Sequence, residues 1–90
     1  MTAEKAREIT KRAIENQATQ AKVNARKQII LEHIEACCKK GEYTLTQDFY
    51  FYSPLILSIV VKDLIALGYY VTAKHSWGNF YELRINWREF

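Results

Sequence analysis

An α+β fold in the order α-β-α-β-β, with a small antiparallel sheet, follows from three observations. Residues 1–40 contain no aromatic residue, glycine or proline, whereas all 12 aromatics, all three glycines and the single proline lie from Gly41 onward. The first stretch has the composition of a long helix, and the second has the material of a core. The third observation is a C-terminal segment whose apolar positions form a single face only if it is paired as a β-hairpin.

The first element is read from Thr2 to Lys40, a run of helix formers closed by Gly41. At ~1.5 Å per residue it would reach about 58 Å, far longer than the ~50-residue body that follows. In its C-terminal half Ile30, Ile34 and Cys37 share a face, flanked by Ile29, Leu31 and Cys38, as in an ordinary core helix. In its N-terminal half the stripe is made mostly of small residues: Ala3, Ala6, Thr10, Ile14, Ala18, Ala21 and Ala25. A lone helix with so thin a stripe is marginal in water. Residues 1–28 are therefore expected to be a basic helical arm or oligomerisation segment, with Ile14, Ala18, Ala21 and Ala25 as its seam, and residues 29–90 the α+β domain. A break near Asn16 to Gln20, where polar residues cluster, is a further expectation.

After Gly41, Tyr43 and Leu45 alternate with Thr44 and Thr46, which predicts a short strand within Glu42 to Gln47. The next five residues, Asp-Phe-Tyr-Phe-Tyr at 48–52, do not declare a conformation by periodicity and are read as core or interface anchors. Ser53 before Pro54 is the cap and first-turn pair that opens a helix, and Gly68 closes it. Between them only Ser58, Lys62 and Asp63 form a polar strip, so this helix should be covered on more than one side. For the hairpin, a three-residue loop Trp77-Gly78-Asn79 pairs His75 with Tyr81, Ala73 with Leu83, Val71 with Ile85 and Tyr69 with Trp87. That register puts Lys74 opposite Glu82, and it asks Asn79 to adopt the left-handed conformation.

Charge follows the same division as composition. Residues 1–27 carry seven basic residues (Lys5, Arg7, Lys11, Arg12, Lys22, Arg26, Lys27) against Glu4, Glu8 and Glu15, a net of +4; the remaining six basic and seven acidic residues give −1. Lys11, Arg12, Lys22, Arg26 and Lys27 are thus candidate contacts to phosphate or nucleic acid. A solvated face on an assembly helix accounts for them equally well. Tyr70, Lys74, Phe80 and Arg84, on the outer face of the hairpin, make a candidate aromatic and basic platform of the kind that stacks bases or holds a small phosphorylated ligand between subunits. The element order also resembles that of a winged helix, but the helix that would read the groove has Lys62 as its only basic residue.

Other classes find little support. Cys37 and Cys38 are adjacent, unlike zinc-binding or disulfide spacings, and His33 and His75 have no ligand cluster around them, so neither a metal nor another cofactor is expected. No nucleophile, base and orienting group are nominated together, which points away from an enzyme. The N-terminus lacks the apolar run of a signal peptide, and no stretch approaches the ~20 apolar residues of a membrane span.

From Ile34 to Trp87 the cadence I-E-A-C-C-K-K-G-E-Y, an apolar helix ending L-G-Y-Y-V and a hairpin ending Y-E-L-R-I-N-W resembles small uncharacterised proteins of tailed bacteriophage genomes. The resemblance implies a phage accessory protein acting in the cytoplasm of an infected host on a host protein, a host-derived ligand or another phage component. It excludes the N-terminal helix and carries over no functional residue. The leading expectation is a non-enzymatic homo-oligomeric binding protein; the alternatives are a nucleic-acid-binding protein and a sponge for a nucleotide messenger bound between subunits.

Overall fold

The computed structural model describes residues 1–88, apart from the side chains of Ile14 and Glu15. Helix α1 (Ala3–Lys39) is followed by strand β1 (Thr44–Tyr50), helix α2 (Pro54–Ala66) and the hairpin β2 (Tyr70–Trp77) and β3 (Phe80–Asn86). The sheet is antiparallel throughout, in the order β1-β3-β2, so the last strand lies between the other two. This is the α+β arrangement expected, and α1 runs unbroken through Asn16 to Gln20.

Both helices start and stop on local chemistry. The Thr2 hydroxyl accepts a hydrogen bond from the Lys5 N–H at 3.2 Å, and the Ser53 hydroxyl accepts from the Ile56 N–H at 3.4 Å, with Pro54 in the first turn. At the other end of α1 the Gly41 N–H donates to Cys38 O at 3.0 Å and the Glu42 N–H to Cys37 O at 3.0 Å. The same pair of bonds closes α2, from Gly68 to Ile65 and from Tyr69 to Leu64. Such a stop needs a left-handed residue just past the helix, and Gly41 and Gly68 supply it with φ of 77° and 101°.

One apolar layer joins the elements. Leu45 and Phe49 of β1 and Leu83 and Ile85 of β3 lie on the inner face of the sheet, against Ile30 and Ile34 of α1 and Ile56, Val60 and Leu64 of α2. Phe51, fully buried just after β1, is the largest side chain to be so enclosed, and its N–H donates to Asn79 O at 2.9 Å. Its burial pins the end of β1 to the hairpin loop. Lys27 Nζ and Asp63 Oδ2, 3.3 Å apart and half-buried, tie α1 to α2.

Three details differ from expectation. β1 does not end at Gln47 but runs through Asp48, Phe49 and Tyr50, each paired with β3. Phe49 and Phe51 point inward and Tyr52 outward, so the aromatic run continues the period of a strand. The hairpin register is as expected from Tyr70↔Asn86 to His75↔Tyr81, but the loop is shorter: a bulge at Ser76 lets Trp77 pair with Phe80. Gly78, at φ 53°, takes the left-handed conformation expected of Asn79, since among the described residues none other than glycine has positive φ. Finally, α2 buries only one side. Ile56, Val60 and Leu64 are enclosed, while Leu55, Ile65 and Leu67 remain exposed.

The two sides of α2 are separable by mutation. Leu64→Ala should lower unfolding free energy by about 2–5 kcal/mol in urea titrations, whereas Leu55→Ala should change it by less than about 0.5 kcal/mol. Equal costs would contradict this assignment of faces.

Candidate functional site

Helical spacing and exposure define what α1 offers to a partner. Val23, Ile30 and Ile34 are buried against the body, while Ala18, Ala21 and Ala25 are exposed. At ~100° per residue the alanines lie roughly on the opposite side of the helix from those buried residues. Every residue from Met1 to Ala13 and from Asn16 to Ala18 is exposed as well. The stripe expected as a seam therefore faces away from the chain's own body; Ile14, its remaining member, lies outside the described side chains. Burial on α1 begins at Thr19 and Val23, a turn or more before the boundary expected at residue 28.

The five candidate phosphate contacts on α1 divide into three kinds. Arg12 is paired with Glu8 at 3.1 Å and Lys27 with Asp63 at 3.3 Å, so two of these charges already have partners. Lys11 is exposed along the arm. Lys22 and Arg26 instead lie over tyrosine rings: Lys22 Nζ is 5.3 Å from the centre of Tyr52, and the Arg26 guanidinium carbon is 5.5 Å from Tyr52 and 5.8 Å from Tyr50. Among the described residues, Arg26 Nε is buried with no hydrogen-bond partner. Among the described residues neither cation forms an ion pair.

The expected platform is split along the outer face of the sheet. Tyr70 pairs with Asn86 at one end of the hairpin, whereas Phe80 pairs with Trp77 at the other, six residues of strand away, or roughly 20 Å. Lys74 and Arg84 lie between them, but so do Glu82 and Asp48. Arg84 Nε donates to Glu82 Oε1 at 3.0 Å, and Lys74 stands opposite Glu82 in the register. Two shallow depressions on this face, of ≈ 270 and ≈ 330 Å³, share Thr72 and Arg84 in their walls. Such a surface has little net charge at its centre, which weakens it as a phosphate site.

What the sequence reading missed is an aromatic row at the hairpin end. Tyr50, Phe80 and Trp77 are consecutive partners across β1, β3 and β2. Trp77 stacks on Phe80 with ring centres 4.7 Å apart and planes at 22°, Phe80 meets Tyr50 edge-on at 5.6 Å, and Tyr50 meets Tyr52 at 5.3 Å. The row ends under Lys22 and Arg26. The Ser76 bulge puts Trp77 there, because one extra residue in a strand shifts the following side chain to the other face.

The histidines and cysteines have local roles. His33 Nδ1 lies 2.8 Å from Ile29 O with its ring edge-on to Phe49, and His75 Nε2 lies 2.9 Å from Gly78 O beside Tyr81. Among the described residues no three His, Cys, Asp or Glu side chains are grouped as a metal ion would require. Burial, with the neighbouring Glu42 carboxylate, pushes the Cys37 thiol up from its ordinary value, while Cys38 is exposed. No family model, curated protein or solved structure matches the chain. No described helix is long and apolar enough to cross a membrane.

The two thiols should therefore react at different rates. A raised Cys37 pKa keeps that thiol protonated to higher pH, so an aromatic disulfide reagent at mildly alkaline pH should label Cys38 first, with Cys37 following as pH rises. Peptide mapping of the labelled sites reads the order; Cys37 first would contradict it.

Proposed function

We propose that the protein is a non-enzymatic homo-oligomeric binding protein assembled through α1. One observation carries this reading: every described side chain from Ala3 to Ala18 is exposed, and Ala18, Ala21 and Ala25 face away from the body. A helix without tertiary contacts is marginal in water, and a body of this size gains stability by association. The natural partner is a second copy, because α1 is complementary to itself when run antiparallel. Centring the pair between Ala18 and Ala21 sets those two residues against each other, Ile14 level with Ala25, and Arg7 level with Glu32. All six positions fall on the side of α1 remote from the body at ~100° per residue.

Small side chains along such a seam let two helices approach closely, and the Arg7 and Glu32 pairs fix orientation at its ends. The body's outer sheet face stays clear of the seam and is left for a ligand or partner. We further propose an accessory role, in which that face engages a host factor or host-derived ligand, a reading that rests only on the phage-like cadence of residues 34–87.

Sedimentation equilibrium at micromolar concentration tests the proposal. The wild-type chain should be a dimer, and Ala21→Glu should weaken association at least about tenfold by placing charge in the seam. Arg7→Glu should also weaken it, and adding Glu32→Arg should restore it. A monomer with an ordered full-length α1 would overturn the reading; a dimer indifferent to all three changes would move the interface elsewhere.

A further inference from the structure

Trp77 is 64% exposed and Tyr52 48% exposed, at the two ends of one continuous line of rings. Exposed large aromatics in a row are unusual on a protein surface unless something covers them. The chemistry at one end of this row indicates what does. Lys22 and Arg26 lie over Tyr50 and Tyr52, and positions three and four residues away from either on α1 hold no acidic residue. The neighbouring Lys27, by contrast, has Asp63. The Arg26 guanidinium carbon lies over both rings, and among the described residues its buried Nε–H has no acceptor. Arg26 as a whole is only half-buried, so an anion at this corner would meet a cation that has no carboxylate partner among the described residues.

We propose that Trp77, Phe80, Tyr50 and Tyr52, together with Lys22 and Arg26, form a binding strip for single-stranded nucleic acid. Bases stack on the exposed rings, beginning with Trp77, and the backbone phosphates reach the two cations at the α1 end. The sign of the surface sets that direction. The α1 end has two cations without carboxylate partners among the described residues, whereas the neighbouring row of the sheet combines Lys74 with Glu82 and with Asp48, whose carboxylate accepts a hydrogen bond from Ser76 at 3.1 Å. Stacking accepts any base, so the strip should discriminate little by sequence. A duplex, whose bases are already stacked on each other, should bind poorly. The strip uses none of Ala18, Ala21 and Ala25 and does not depend on assembly through them.

Fluorescence anisotropy of the full-length chain with a labelled oligothymidylate at low salt, alongside a duplex of equal length and free thymidine monophosphate, tests the strip. The single strand should bind, quench tryptophan emission, and bind more tightly than either comparison. Its log K should fall with log salt by about 0.7 for each phosphate contacted, so Lys22→Gln should reduce the slope by about that amount. Trp77→Ala removes an exposed side chain, so circular dichroism should be unchanged while affinity falls about tenfold or more, the size of one lost stack. Trp77→Phe should recover most of it, and Tyr70→Ala, at the far end of the sheet, should change nothing. No binding at low salt, equal affinity for duplex, equal affinity for the mononucleotide, or indifference to Trp77→Ala would each overturn the proposal.

Discussion

The body depends on one sandwich of apolar side chains. Leu83 and Ile85 of the central strand are enclosed by Ile30 and Ile34 of α1 and by Ile56, Val60 and Leu64 of α2, with Leu45 and Phe49 alongside. Because the last strand is the central one, neither β1 nor β2 has a partner without it, and the sheet cannot assemble until the C-terminus is in place. The pairing of β1 is thus distant in sequence, Leu45 meeting Ile85 and Phe49 meeting Tyr81, whereas that of β2 is a local hairpin. The helices complete the layer from one side only, which leaves the outer sheet face and part of α2 in water.

The same geometry explains why α1 is long. Only its second half is needed to cover the sheet, and there it is anchored by Val23, Ile30, Ile34 and the Lys27–Asp63 pair. The first half adds charge and small residues but, among the described side chains up to Ala18, no burial within the chain. Meanwhile the point where α1 leaves the body, at Lys22 and Arg26, is also where the aromatic row ends. The alanines and the tyrosine-facing cations lie on adjoining faces of the helix, with Lys22 one turn beyond Ala18, so an assembly surface and a ligand surface would meet along that border.

Much of this was legible in the residues. Ser53-Pro54, Gly41 and Gly68 mark helix ends through backbone chemistry that acts locally, and the hairpin register follows from the requirement that Val71, Leu83 and Ile85 share a face. The Ser76 bulge was not legible. It leaves no compositional mark, and its result, Trp77 stacked on Phe80, is visible only once the strands are paired. The Asp-Phe-Tyr-Phe-Tyr run was hard to read for a different reason: all its aromatics are large and apolar in part, so hydropathy does not alternate. Only the phenolic hydroxyl separates the outward Tyr50 and Tyr52 from the inward Phe49 and Phe51. The platform assembled from Tyr70, Lys74, Phe80 and Arg84 correctly shares one face, yet the distance between its two rings and the presence of Glu82 shift interest to the hairpin end.

The central claim is that α1 is supported by the body in its second half and by another copy in its first. Amide hydrogen exchange across a dilution series measures this residue by residue. The account predicts strong protection from Val23 to Lys39 at every concentration, and protection from Ala3 to Ala18 that grows as the protein is concentrated. Protection of the first half that is already strong and independent of concentration, or absent even at the highest, would contradict it.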